Sequence, residues 1–257
     1  MTQTTINLNA DLGESFGAWR MGDDAALLQV IGSANIACGF HAGDPVVMRE
    51  TVRLALANGV SLGAHPAFPD LQGFGRRAMQ LSTQELEATI LYQVGALQAM
   101  AAAEGGRVTH VKPHGALNNI ACADANVAAT VARAVRALDR ELILLAPALS
   151  ALEAAGEAAG LRVGREVFAD RSYQADGQLT PRSQPGAVLH DAQACVQHVL
   201  RMLDAGGIVT ADGQRLPTPI HSICVHGDGP DAVASAQQIR LALEKAGFQL
   251  APLTALV

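Results

Sequence analysis

The sequence lacks the apolar run that a membrane-spanning helix requires. Although 49% of its 257 residues are hydrophobic, no stretch approaches the roughly 20 consecutive apolar residues that cross a bilayer. The first five residues, Met-Thr-Gln-Thr-Thr, also lack the basic and apolar regions of a signal peptide. We therefore expect a soluble protein that works in the cytoplasm and has no membrane partner.

Paired cysteines and an excess of basic residues are absent too. The four cysteines, Cys38, Cys122, Cys195 and Cys224, are scattered through apolar or helical segments without a C-x-x-C pair. This pattern predicts reduced core residues rather than disulfides or zinc ligands. The formal net charge of -6 leaves no basic face for nucleic acid. A small molecule or another protein is the expected partner.

The common nucleotide and hydrolase motifs are missing as well. There is no G-x-x-x-x-G-K-[ST] loop, no G-x-S-x-G elbow and no G-x-G-x-x-G after the first predicted strand. Walker-type ATP binding, an elbow serine hydrolase and a Rossmann dinucleotide site therefore lose support. The stretch 73–76, Gly-Phe-Gly-Arg, suggests close backbone approach to an anion, and a plain glycine loop explains it equally well.

What the sequence contains is a repeated strand-helix plan. Residues 35–38 form a short apolar strand, and Asp44-Pro45 then supplies a helix N-cap followed by proline at the first helical position. Seven strands are predicted in all, at residues 6–9, 35–38, 60–64, 108–111, 142–146, 163–168 and 222–225. We predict an α/β fold with one domain over residues 1–257: a distorted TIM-like (β/α) barrel with seven strands or an irregular eight.

Titratable residues gather at the carboxyl ends of these predicted strands. The histidines found there are His41, His65, His114 and His226. The charged residues that accompany them are Asp11, Glu14, Asp44, Lys112 and Asp228. Each alone is explained by a helix cap or a turn. As a set, however, they predict one functional cavity, because the carboxyl ends of barrel strands share a rim.

The residue types suggest roles within that cavity. The ammonium of Lys112 should emerge into the mouth, where a point charge suits an oxyanion or a phosphate. Asp11, Asp44 and the histidines are able to orient and deprotonate water. Histidine and aspartate also bind divalent metals. We rank a metal lower and leave its ligands unassigned, because no H-E-x-x-H motif makes the case for one.

The segment after the sixth predicted strand has two equally good interpretations. Glu166 and Asp170 either bind nitrogen groups of a ligand or form salt bridges with Arg165 or Arg171. Turn-forming residues over 174–186 predict a loop across the barrel mouth. From there, Arg171 and Arg182 would face anionic groups.

The chain resembles the family of 5-oxoprolinase A-subunits, also called LamB/YcsF. The matching stretches are residues 7–14, 33–44, 63–66, 73–76, 110–117, 166–171 and 226–229. They include Asn-Leu-Asn-Ala-Asp-Leu-Gly-Glu at 7–14 and His-Val-Lys-Pro-His-Gly-Ala-Leu at 110–117. One position departs from the pattern, since Asn118 stands where the family usually has tyrosine.

The resemblance implies a barrel similar to those of sugar deacetylases. It also implies an enzyme that acts with partner subunits B and C to open 5-oxoproline to L-glutamate. ATP would be the cosubstrate, accompanied by Mg²⁺, and would be hydrolysed to ADP and phosphate. The expected catalytic residues are Asp11, His41, Asp44, His65, Lys112 and His114. The expected substrate-binding or nucleotide-binding residues are Asn9, Glu14, Arg76, Glu166, Asp170, Arg171, His226 and Asp228.

Two alternatives remain at this point. One is a metal-dependent amidohydrolase or deacetylase that works alone on a similar barrel. The other is a scaffold without catalytic activity that positions partner proteins. Bound metal would favour the first, and full complex activity after neutralising Asp11, Lys112 and His114 together would favour the second.

Overall fold

The computed structural model of the chain describes residues 4–225 and 232–257. Its strands are β1 (Thr4–Leu12), β2 (Ser33–Ala37), β3 (Ser61–His65), β4 (Val108–Val111), β5 (Ile143–Pro147), β6 (Arg162–Phe168), β7 (Gly207–Val209), β8 (Arg215–Pro217), β9 (Ser222–Val225) and β10 (Phe248–Leu250). Its helices are α1 (Asp24–Leu27), α2 (Pro45–Ala57), α3 (Thr83–Ala103), α4 (Gly115–Ala123), α5 (Ala125–Leu138), α6 (Ala151–Ala158), α7 (Ala192–Ala205) and α8 (Ala232–Lys245). A short 3₁₀ turn follows at Leu253–Ala255.

Parallel strands close into a barrel. Within the described residues, β1 to β6 and β9 pair in sequence order, and β9 pairs back with β1. The prediction of a seven-stranded β/α barrel is therefore confirmed. A separate antiparallel pair, β7 and β8, forms a hairpin. Helices α1 and α4 and the short strand β10, which pairs with the start of β1, were not predicted.

Strand β1 shows why the barrel has two different faces. Successive side chains of a strand point to opposite sides. Ile6, Leu8, Ala10 and Leu12 are all at most 1% exposed and belong to the main hydrophobic core. This core lies between the barrel and its helices. Helix α3, which begins with a capping box at Ser82, contributes an apolar stripe to it.

The inside of the barrel is polar rather than apolar. The buried polar side chains that the strands carry include Asn7, Asn9, Ser33, Asn35, His110, Glu166 and Ser222. They satisfy one another: Asn7 Nδ2 donates to Ser33 Oγ over 2.9 Å, and Ser222 Oγ donates to Asn7 Oδ1 over 2.7 Å. A buried polar column of this kind is stable because its groups are hydrogen-bonded.

A small apolar plug lies inside the barrel near the amino ends of the strands. Leu253 from the 3₁₀ turn packs there against Ile143 and Leu145 of β5. All three side chains are fully buried. Apolar side chains thus fill the barrel interior at this end. The titratable side chains lie toward the opposite end.

The remaining expectations about the chain as a whole concern cysteine and the membrane. All four cysteines lie among the described residues, where each is buried and none forms a disulfide, as predicted. None of the helices in residues 4–225 and 232–257 combines the length and apolar character needed to cross a bilayer.

Glycine is required at position 63 in β3. A Cβ there would lie 2.0 Å from Nε2 of His110, the atom that hydrogen-bonds Asn35 Oδ1 over 3.0 Å. We expect Gly63→Ala to lower the free energy of unfolding in urea by roughly 1–3 kcal/mol, because the imidazole must move and its hydrogen bond is strained.

Gly95 provides the matched control. It lies within α3, and an added Cβ would have no neighbour within 4 Å. Gly95→Ala should therefore raise stability by about 0.5–1 kcal/mol, the usual gain in helix propensity. Wild-type stability in Gly63→Ala would contradict this account of the barrel interior.

Candidate functional site

A cavity of about 420 Å³ opens at the carboxyl ends of the barrel strands. Its volume suits a small organic molecule. The titratable residues that line it are Asp11, Glu14, His65, Arg76, Lys112, His114, Arg171 and Arg182. The structure thus brings together residues that are far apart in the sequence. His226 and Asp228, two further predicted site residues, lie outside the described residues.

Lys112 forms the floor of this cavity. Its Nζ lies 3.0 Å from Asp11 Oδ1, 3.1 Å from Glu166 Oε1 and 3.1 Å from Cys224 Sγ. The residue is only 2% exposed, so its ammonium lies in the floor of the cavity. The prediction that it emerges into the mouth was wrong. Burial alone would lower the pKa of Lys112, but the charges of Asp11 and Glu166 raise it well above its ordinary value. The side chain therefore stays charged.

Glu166 lies beneath the cavity and does not line it. Burial raises the pKa of Glu166, and the charge of Lys112 opposes that shift. Asn9 Nδ2 donates to Glu166 Oε1 over 2.9 Å. Of the two interpretations offered for Glu166, a salt bridge with Arg165 or Arg171 is not formed among the described residues; Arg165 instead pairs with Glu153 at 2.5 Å. Glu166 thus binds the ammonium of Lys112 from below the cavity. This position does not support the predicted role of Glu166 in substrate binding.

The barrel interior also holds Asp11 in place. Asn35 Nδ2 donates to Asp11 Oδ1 over 2.9 Å and to Asn9 Oδ1 over 2.7 Å. The ring of His110 approaches Asn35 in turn, and burial lowers the pKa of His110 to about 3, so this ring is neutral. Sequence reasoning missed Asn35 and His110. The signal available was the presence of polar residues within otherwise apolar predicted strands.

Two histidines stand beside Asp11 on the cavity wall. His65 Nδ1 lies 2.7 Å from the carbonyl oxygen of Lys112, and His114 Nε2 lies 2.8 Å from that of Phe74. The opposite nitrogens, His65 Nε2 and His114 Nδ1, face each other at 2.9 Å. His65 Nε2 is also 3.2 Å from Asp11 Oδ2.

His41 and Glu14 complete this group. The ring of His41 stacks on that of His114 with centroids 3.8 Å apart, and His41 Nε2 lies 3.1 Å from Glu14 Oε1. Burial lowers the pKa of both His41 and His114, so these rings are neutral at pH 7. Glu14, His41, His65 and His114 each bring a ligand atom within 4.8 Å of the others, a spacing that fits a metal ion. No local motif revealed this, because the residues come from separate strands and loops.

Two loops form the cavity walls. Arg76, on the loop after β3, lies 5.0 Å from the centre of the Phe74 ring. On the loop after β6, Arg171 donates to the carbonyl oxygens of Thr180 (2.6 Å) and Ala187 (3.2 Å). Arg171 therefore holds the mouth loop, whose turn-forming segment had been predicted to cross the barrel mouth.

Three predicted site residues are placed elsewhere. Asp44 Oδ1 accepts from the amides of Val46 and Val47, so Asp44 caps helix α2. Asn9 is fully buried below Lys112, and Asp170 lies outside the cavity lining. These positions do not support the catalytic role of Asp44 or the binding roles of the other two. A capping aspartate and a site aspartate look alike in sequence, because both follow a strand.

Asn118 lies on the cavity wall. It belongs to helix α4 and is only 6% exposed. The departure from the family's tyrosine therefore falls within the site.

Comparison with known proteins agrees with this architecture. The LamB/YcsF family model matches residues 6–257. A 5-oxoprolinase A-subunit from Azoarcus sp. (strain BH72) is 68% identical over 95% of this chain and 96% of its own length. The crystal structure of a lactam utilization protein from Thermus thermophilus superposes with a TM-score of 0.91 at 45% identity, covering 96% of this chain and 99% of that one.

A more distant structure shares the fold alone. The catalytic domain of a peptidoglycan N-acetylglucosamine deacetylase from Eubacterium rectale ATCC 33656 has a TM-score of 0.52 at 11% identity, covering 97% of this chain and 88% of that one. The predicted likeness to deacetylase barrels is confirmed at this level. With the family model matched over nearly its whole length, the chain belongs to the LamB/YcsF family.

Proposed function

We propose that this chain is the A-subunit of an ATP-dependent 5-oxoprolinase that opens 5-oxoproline to L-glutamate together with B and C subunits. The observation that carries the proposal is 68% identity, across 95% of the chain, to a protein named as the A-subunit of 5-oxoprolinase. We place the reaction in the cytoplasm, because ATP is available there.

The chemistry of the substrate explains the need for ATP. A five-membered lactam is a poor electrophile. Transfer of the γ-phosphoryl group of ATP to the amide oxygen of 5-oxoproline releases ADP. The lactam carbon is then more readily attacked by water. One water adds there and the C–N bond breaks, which gives an acyl phosphate; a second water then releases phosphate and L-glutamate.

The charges of the cavity suit this sequence of steps. Lys112 supplies a fixed positive charge at the floor, where negative charge on the amide or phosphoryl oxygens would develop. Arg76 and Arg182 line the cavity higher up and suit the carboxylate of 5-oxoproline. Because the sequence has no P-loop, contacts to the nucleotide and its Mg²⁺ would come from the mouth loops or a partner subunit.

Proton handling falls to the carboxylates. His41 and His114 are neutral at pH 7 because burial lowers their pKa, so they have no extra proton to donate. Asp11 and Glu14 line the cavity and are partly exposed, with side chains 12% and 10% accessible. We assign them the task of orienting water toward the lactam carbon.

The second candidate is a metal-dependent amidohydrolase that works alone. The specific observation in its favour is the close grouping of Glu14, His41, His65 and His114. This candidate needs neither ATP nor partners, which separates it from the first by a single assay.

That assay measures glutamate release from 5-oxoproline with this chain alone and with the B and C subunits added. We expect release only when all three subunits and ATP are present, with one ADP formed per glutamate. Glutamate release by the chain alone without ATP would instead establish the amidohydrolase, and no release by the complete mixture would refute the 5-oxoprolinase assignment.

Lys112 should be essential for turnover by the complete complex. Lys112→Met should reduce turnover by at least about 100-fold, because the charge at the floor is lost. It should also lower the free energy of unfolding by roughly 3–5 kcal/mol, since the carboxylate of Glu166 is left buried without its cation. Enzyme assays and urea unfolding measure the two effects.

A double variant separates these effects. In Lys112→Met/Glu166→Gln the buried carboxylate is neutral, so stability should largely return while turnover stays lost. Substantial turnover in the double variant would remove Lys112 from the mechanism.

Arg182 should contribute to substrate binding. We expect Arg182→Gln to raise KM for 5-oxoproline by about 10–100-fold, the usual value of a hydrogen bond to a charged group, with a smaller effect on kcat. Arg201→Gln, on the exposed face of α7 away from the cavity, is the matched control and should leave KM unchanged. An unchanged KM in Arg182→Gln would exclude this contact.

A further inference from the structure

His65 and His114 each turn one ring nitrogen toward a backbone carbonyl oxygen and the other toward the partner ring. His65 Nδ1 hydrogen-bonds the carbonyl oxygen of Lys112, and His114 Nε2 hydrogen-bonds that of Phe74. A carbonyl oxygen only accepts, so in each ring this nitrogen is the one that donates its N–H. The second nitrogens, His65 Nε2 and His114 Nδ1, are the atoms left to bind a metal, and they lie only 2.9 Å apart.

Carboxylate oxygens add to this concentration of acceptors. Asp11 Oδ2 lies 3.2 Å from His65 Nε2, and Glu14 Oε1 lies 3.8 Å from His114 Nδ1. The nearby ammonium of Lys112 is bonded to the other oxygen of Asp11, Oδ1. Two histidine nitrogens and two carboxylate oxygens thus converge on the cavity wall, and both atom types are ordinary ligands of a divalent cation.

We propose that this position binds one divalent transition-metal ion of the zinc type, ligated by His65 Nε2, His114 Nδ1 and Glu14 Oε1. Metal–nitrogen bonds of about 2.0–2.1 Å in a tetrahedral site hold two nitrogens about 3.3 Å apart. The observed 2.9 Å needs to grow by only a few tenths of an ångström.

The surroundings have the features of an outer ligand shell. Metal-binding histidines usually donate their second N–H to a carbonyl or carboxylate, as both rings do here. We do not assign His41 as a ligand beside His114, because the two rings are stacked with planes only 7° apart and their in-plane lone pairs do not converge. It instead orients the carboxylate of Glu14, 3.1 Å from its Nε2.

The three ligands all line the cavity, so the fourth position of the metal would face the substrate space. An open fourth position is typical of catalytic rather than structural zinc. A metal there would polarise a carbonyl oxygen or activate water. The inference does not depend on the proposed reaction, since metal binding is measured on the chain alone.

The test uses the full chain without a histidine tag. After chelator treatment, Zn²⁺ and Co²⁺ are titrated separately, with elemental analysis for stoichiometry and visible absorption for cobalt coordination. We expect one ion per chain and the visible bands of cobalt bound by nitrogen. His114→Gln should weaken the affinity by at least about 100-fold.

His198→Gln is the matched control. His198 is 5% exposed, close to the 6% of His114, but it lies on α7 away from the cavity. This variant should bind both ions like the wild type. Failure of the wild-type chain to bind either ion, or equal weakening in both variants, would overturn the proposal. If His114→Gln does not fold by circular dichroism, the cobalt spectrum of the wild type decides.

Discussion

The site depends on one buried charge, the ammonium of Lys112 held between Asp11 and Glu166. Removing three such groups from water is costly unless every one is paired and hydrogen-bonded. The barrel meets this condition because its interior is polar at this level, where Asn9 and Asn35 bind the two carboxylates. The position of Asp11 at the cavity floor is therefore fixed by groups beneath it.

The same residue connects the two halves of the site. The side chain of Lys112 holds the carboxylates, while its carbonyl oxygen receives the N–H of His65. The backbone at the end of β4 thus orients both the charged floor and the histidine wall. His114, two residues further along, is held by the carbonyl oxygen of Phe74 on the neighbouring loop. A shift of this segment would displace Lys112, His65 and His114 together.

Much of this was accessible from sequence alone. The apolar strands, the cap at Asp44 and the ring of polar residues after the strands predicted the barrel and where its cavity lies. The sequence did not show whether Asp44 is a helix cap or a site residue. It also predicted the ammonium of Lys112 in the mouth of the cavity, whereas the structure places it in the floor. It also missed the polar interior around Asn35 and His110. These errors share a cause, because side-chain direction and cross-strand partners depend on barrel closure rather than local pattern.

The most direct test of the buried charge is the titration of Lys112 itself. The sequence contains only two lysines, Lys112 and Lys245, so protein labelled with ¹³Cε-lysine gives two side-chain signals, and Lys245→Arg identifies which is which. The account predicts that the Lys112 signal keeps its ammonium chemical shift past the usual lysine range, for as long as the protein stays folded. A Lys112 pKa below its ordinary value of 10.5 would contradict it.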